Sequence, residues 1–208
     1  MEEPKLYWYA LKVFYNKVFD METLLNGMGL ETYIAMDKVL LKGEAHLMAR
    51  RHLASIKVLG QTDTRYIQEG ALIYQRKPIV TSLVFVKAQE ADLPYVESAL
   101  KEEGSNNIKG FIYKNATRKE FAQIPENQMT AFRLVTARGS EGLEFHSEEA
   151  YTRYKEGSRV RVTGGPFKGA EGYIKRVKRD RRLLVNIEGI VAVIASYIEP
   201  QYLEIVKE

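Results

Sequence analysis

The sequence predicts an α+β protein in two parts: an antiparallel sheet carrying helices, then a small all-β domain. Three observations carry that reading. Up to residue 138, runs rich in aromatic and β-branched residues alternate with apolar stripes at helical spacing. Residues 157–208 contain only short strand-like runs separated by Gly-rich or charged turns. Residues 139–156, between them, show neither pattern and read as a linker; the alternative is that Phe145, Tyr151 and Tyr154 dock this segment on a domain.

Residues 6–14 combine aromatic and β-branched side chains, which suit a pleated, buried surface, and read as a central strand. Asn16 is placed to cap a helix whose stripe is Val18, Met21, Leu24, Leu25 and Met28, with Gly29 ending it. Residues 31–36 read as a second strand. Residues 37–75 are expected to form a hairpin extension, with strands at 56–59 and 71–74 around a turn at 60–64. A strand at 79–86 follows. Asp92 opens the next helix, with Pro94 in its first turn and Gly104 at its end. Residues 108–113 read as a strand, and a helix from Glu126 carries Met129, Phe132 and Val135 on one face, widened by Leu134. This order suggests an antiparallel sheet with helices on it.

Residues 156–177 have an unusual use of glycine. Val160 and Val162 alternate with Arg159, Arg161 and Thr163, and then Gly164-Gly165-Pro166 forces a turn. Gly172 stands where a strand side chain is expected, which marks a bulge or a close backbone approach. This spacing resembles the KOW motif of ribosomal proteins and of the NusG family of transcription elongation factors. The resemblance implies a small β-barrel that meets nucleic acid or a ribosome-type partner. Further strands at 183–187, 190–194 and 198–206, with a tight turn at Glu188-Gly189, fit an SH3-like barrel, which limits exposed edges.

The N-terminal part is also similar to NusG. Trp8-Tyr9, an aromatic at Phe14, a helix, a Gly and a Tyr33-Ile34-Ala35-Met36 strand occur in the family's order, as do Ile108-Lys109-Gly110-Phe111-Ile112 and the Ile124-Pro125-Glu126 helix start. The resemblance divides the chain into a NusG-like N-terminal domain (1–138, with 37–75 as a divergent insertion), a linker (139–156) and a KOW barrel (157–208). The chain departs from the family at Ala35, at Thr81-Ser82-Leu83 and at Glu188. Those departures point to a specialised paralogue of the RfaH-like or capsule-operon UpxY-like kind. The implied function is transcription elongation or antitermination. The N-terminal domain would bind RNA polymerase and suppress pausing or termination, and the barrel would recruit a second partner. The alternative is a translation-linked RNA-binding KOW protein without polymerase contact.

Composition bounds this further. The chain has 208 residues, no cysteine and a net charge of +4. Residues 157–208 carry that whole excess, with ten Lys/Arg against six Asp/Glu, which suggests a polyanionic partner for the barrel. No apolar run approaches the ~20 residues of a membrane helix, and the N-terminus lacks a signal pattern, so a cytoplasmic protein without membrane contact is expected. Catalysis is not expected: His46, His52 and His146 have no metal-ligand spacing, and no Gly-rich phosphate loop follows a strand. No metal or cofactor is expected, and the chain is expected to be a monomer.

The resemblance assigns polymerase contact to Phe14, Val80, Leu83 and Phe85, an apolar face fit to grip a helix pair. For Phe85 the alternative, a plain core residue, is favoured. Contact with non-template DNA of the transcription bubble falls to Lys12, Tyr15, Asn16 and Lys17, where cations and an aromatic meet a helix start, joined by Arg76 and Lys77; this helix start reads equally as a solvated surface. In the barrel, Phe167, Lys175, Arg176, Lys178, Arg179, Arg181, Arg182 and Glu188 are the candidate RNA or partner contacts. The basic turn reads equally as a solvated surface. In many relatives an aromatic in the turn matching Glu188 binds the Rho termination factor or a ribosomal protein, so the acidic residue argues against either partner.

Overall fold

The computed structural model describes residues 5–101, 107–115, 117, 119–147, 157–177 and 180–206. Strand β1 (Tyr7–Val13) is central in a four-stranded antiparallel sheet. It pairs with β6 (Leu83–Ala88) and β7 (Gly110–Ile112), and β2 (Glu31–Tyr33) lies beyond β6. Side chains alternate across a strand, so β1 feeds two cores. Tyr9, Leu11 and Val13 join Met21 and Leu25 of α1 (Val18–Gly27) and Val96 and Leu100 of α3 (Leu93–Lys101). Trp8 and Ala10 join Phe85 and α4 (Glu126–Thr136) on the reverse face.

Several boundaries move. The expected strand at 79–86 begins only at Leu83, because Ile79–Ser82 turns the chain, with Leu83 N–H bonded to the Val80 carbonyl. The α1 N-terminus has Lys17, not Asn16, at its cap position, without a side-chain cap bond. Gly29 does take the left-handed conformation after that helix, at φ 77°. The helix over 93–101 is preceded by a short 3₁₀ turn at Glu90–Asp92, and Gly104 lies outside the described residues.

The extension is more than a hairpin. It comprises β3 (Met36–Leu40), α2 (Gly43–Val58), β4 (Tyr66–Glu69) and β5 (Leu72–Pro78), with strand order β3-β5-β4. The strand expected at 56–59 is instead the end of α2 and its cap, Leu59. One charged contact anchors the extension to α1 and another braces it internally. Arg76 forks onto Glu22 of α1, with Nη1 and Nη2 each donating to a carboxylate oxygen at 2.7 Å, and its guanidinium lies over Phe19. Asp63 accepts from Arg65 Nη2 at 2.6 Å and faces His52 Nε2 of α2 at 2.8 Å.

The Arg65 hydrogen bonds hold the Asp63 carboxyl well below the usual carboxylate range. A depressed folded-state pKa contributes stability above the unfolded value, near 4, that is lost as pH falls through the folded one. Wild-type stability should therefore rise between roughly pH 2 and pH 5. Asp63→Asn should flatten that rise and lower stability at neutral pH by about 1.5–3 kcal/mol, the range for hydrogen bonds to charged groups. Urea melts across that pH range check it.

The C-terminal sheet has six strands in the order β13-β9-β10-β11-β12-β8. They are β8 (Glu144–Ser147), β9 (Arg159–Val162), β10 (Glu171–Val177), β11 (Asp180–Ile187), β12 (Val191–Tyr197) and β13 (Leu203–Ile205). Strand β8 lies in the segment expected to be a linker. It pairs with β12, Phe145 opposite Val193, and Phe145 packs on the core; Tyr151 and Tyr154 lie outside the described residues. Gly172 is a point of close approach: a Cβ there would sit 2.3 Å from the Leu184 carbonyl oxygen.

Helix α4 is shared by both parts. Phe132 packs on Phe85 with ring centroids 5.1 Å apart, and Ala131, Phe132 and Val135 belong to one buried cluster with Leu183, Val185 and Val193. On the other side of the C-terminal sheet, Leu184, Ala192 and Ile194 form a smaller cluster. No helix of the described residues is long and apolar enough to cross a membrane.

Candidate nucleic-acid interface

The end of β1 turns into α1 through Tyr15 and Asn16, both left-handed at φ 57° and 56°. Asn tolerates that region; for Tyr it is strained, at a cost of order 1–3 kcal/mol. The Tyr15 ring stands in solvent, 77% exposed. Phe14 lies beside it at 6.3 Å between centroids, Phe111 of β7 lies 6.1 Å from Phe14, and Tyr113 lies 5.3 Å from Phe111. Phe14 and Phe111 are 40% and 45% exposed, so three open rings share one end of the sheet.

Register explains how β7 brings Phe111 there. Gly110 pairs with Val13 and Phe111 with Lys12. A Cβ on Gly110 would fall 2.1 Å from the Lys12 carbonyl oxygen, so only glycine permits this approach. Phe14 N–H donates to the Lys109 carbonyl and locks the two segments together. The side chains of Lys12 and Lys109 have no ion-pair partner among the described residues, whereas Lys17 pairs with Asp20 at 2.7 Å. Exposed rings beside unpaired lysines can stack unpaired bases and hold phosphates.

The four DNA candidates at the helix start therefore fall together. Phe111 and Tyr113 were not singled out by sequence, although the aromatic pair flanking Ile112 was a visible signal. Phe14, which the resemblance assigns to the polymerase face, sits in this aromatic group. Arg76 does not join it, since its fork is closed on Glu22 and it also donates to the Thr64 carbonyl. Lys77 is exposed, on a groove of about 1210 Å³ between the extension and the end of α4. That groove is not strongly basic. Lys38 pairs with Glu69, Arg133 with Glu31, and Asp37 and Glu141 also line it.

Of the remaining polymerase candidates, Phe85 is 1% exposed beneath α4 and Leu83 is buried, while Val80 is half-buried at the edge of the same cluster. In the barrel, Phe167 is buried in the core, Arg181 is exposed and Arg182 Nη1 donates to Glu144 of β8. Lys175 lies on β10. The Arg176 side chain and residues Lys178 and Arg179 lie outside what is described. Part of the barrel's charge is used internally. Glu171 accepts from Arg161 Nη2 at 2.7 Å and Arg159 Nη2 at 3.1 Å, and the Arg161 bonds lower its carboxyl's pKa. Glu188 is exposed and lines a groove of about 480 Å³ together with Asn127 and Gln128 of α4.

Comparison with known proteins bears on the C-terminal part. Residues 156–188 match the KOW motif. No curated protein matches the chain. One solved structure, "Domain interaction in Thermotoga maritima NusG", aligns over 98% of this chain and 98% of its own. It shares 13% identity at a TM-score of 0.39, a likeness too weak to bear on function. What stands is a two-part α+β chain whose second part carries a KOW motif.

Proposed function

We propose that the protein is a transcription elongation or antitermination factor that binds RNA polymerase through its N-terminal part. In this reading the aromatic and lysine end of the N-terminal sheet holds an unpaired strand of the transcription bubble. The observation that carries it is the group Phe14, Tyr15 and Phe111, all open to solvent, beside the unpaired Lys12 and Lys109. A strained Tyr at the end of a β-strand, with its ring open to solvent except for its edge contact with Phe14, suits base stacking. Val80, with the start of β6 at Leu83 behind it, supplies the apolar contact with polymerase. The KOW barrel, with Arg181 at its outer hairpin, recruits the second partner.

Polymerase binding and base stacking are tested separately with the full chain. Wild-type protein should co-purify with core RNA polymerase and shorten pauses on a defined template. Val80→Asp should weaken the association, while a far-ultraviolet spectrum confirms that the variant folds. Absence of any association would overturn the reading in favour of a translation-linked RNA-binding protein. Stacking is worth about 1–3 kcal/mol per base, so Tyr15→Ala should weaken binding of a short single-stranded oligonucleotide roughly five- to hundredfold. An unchanged affinity would remove Tyr15 from the interface.

A further inference from the structure

We propose that the outer face of α2 docks an acidic amphipathic helix of a partner protein. Within the extension, Ala49 is the buried residue of α2, whose His46 bonds the Ala71 carbonyl and whose His52 faces Asp63. Rotation of about 100° per residue puts Leu47, Arg51, Ala54 and Val58 on the opposite side, in one line. Met48 and Leu59 flank that line on one side, and Arg50 and Lys57 on the other. Four of these apolar side chains are open to solvent: Leu47 at 52%, Met48 at 63%, Val58 at 86% and Leu59 at 69%.

The charges choose the occupant. Lys42, Arg50, Arg51 and Lys57 have no ion-pair partner among the described residues, and Glu44 is the one acidic residue of the helix. Arg51 lies between the two apolar ends, which are about three turns, roughly 16 Å, apart. A partner must therefore bury apolar groups at both ends and present a carboxylate between them. An amphipathic helix with anchors at i and i+11 and an acidic residue midway has that form. A second copy of α2 would set cation against cation. A lipid surface would have to take Arg51 into its apolar layer along with Leu47 and Val58. The outer face of the helix carries no aromatic residue on which a base could stack, since His46 and His52 are turned toward Ala71 and Asp63.

The test places a photoreactive benzoylphenylalanine at Met48 or at Val58 in the full chain, cross-links in native cells, and identifies the captured peptide by mass spectrometry. Both positions should capture one Asp/Glu-rich helical segment of a single protein. Arg51→Glu, an exposed and fold-neutral change, should cut the yield at least fivefold. Replacing the facing acidic residue of that segment with Lys should restore it. Cross-links to nucleic acid, lipid or a second copy, none at all, different proteins at the two positions, a captured segment that is not acidic and helical, an Arg51→Glu yield that falls less than fivefold, or a failed rescue would overturn the proposal. Tyr15→Ala should leave the cross-links unchanged, so this surface and the aromatic interface fail or succeed independently.

Discussion

Glu22→Ala should lower the stability of the folded chain by about 3–5 kcal/mol, the cost of breaking a buried ion pair from one side. Glu22 and Arg76 are only 8% and 13% exposed at their side chains. The fork between them is bidentate, and Arg76 has one further acceptor, the Thr64 carbonyl. Without Glu22 the guanidinium keeps its charge in a site with little water. The pair also joins α1 to β5, so its loss should loosen the extension before the central sheet. Hydrogen exchange should show the amides of β3, β4 and β5 losing protection while those of β1 and β6 keep theirs. Replacing both partners, Glu22→Leu with Arg76→Met, should recover much of the loss, because an apolar pair leaves no buried charge unmet. A Glu22→Ala protein as stable as wild type would show that water reaches Arg76.

Phe132→Ala should cost a similar amount, about 3–5 kcal/mol, by removing a large ring and leaving a cavity. Phe132 is fully buried, against Phe85 at 5.1 Å and Tyr33 at 6.3 Å. At this chain length that corresponds to a fall in Tm on the order of 10 °C. The position has a wider consequence. Its cluster continues through Ala131 and Val135 into Leu183 and Val185 of the C-terminal sheet. The variant should therefore weaken the joint between the two parts as well as the N-terminal core. Calorimetry should show one transition for wild type and two for Phe132→Ala. Two transitions in the wild type would mean that the halves melt independently of α4.

Much of the fold was legible because its signals are local. The aromatic run at Tyr7–Val13, the Met129–Phe132–Val135 spacing and the glycines of 164–172 each determine a few consecutive residues, and the strand, helix and hairpin follow. Helix α2 was not legible, because its buried face rests on a small alanine and its end, Ile56-Lys57-Val58-Leu59, is β-branched enough to look like a strand. Strand β8 is legible only in part: Phe145 suggests that the segment docks, but the reason to be extended there is β12, far along the chain.

The candidate interface divides the same way. Lys12, Tyr15 and Asn16 are neighbours in sequence and were visible together. Phe111 reaches them only through the β1–β7 register, which no local pattern reveals. Arg76 looked like a free cation because its partner Glu22 is 54 residues away. Glu171 likewise takes up two arginines that composition alone counts as available.

Contact between this aromatic end and an unpaired base, with the chain on polymerase, is the step on which the proposed function turns. The direct measurement is the fluorescence of 2-aminopurine placed in the unpaired non-template strand of a reconstituted elongation complex, on adding the full chain. Stacking on Tyr15 or its neighbours changes the probe's emission. The account predicts a saturable change with wild-type protein, a weaker one with Lys12→Ala, and none with the Tyr15→Ala, Phe111→Ala double variant. No change with wild type, or an equal change with the double variant, would contradict it.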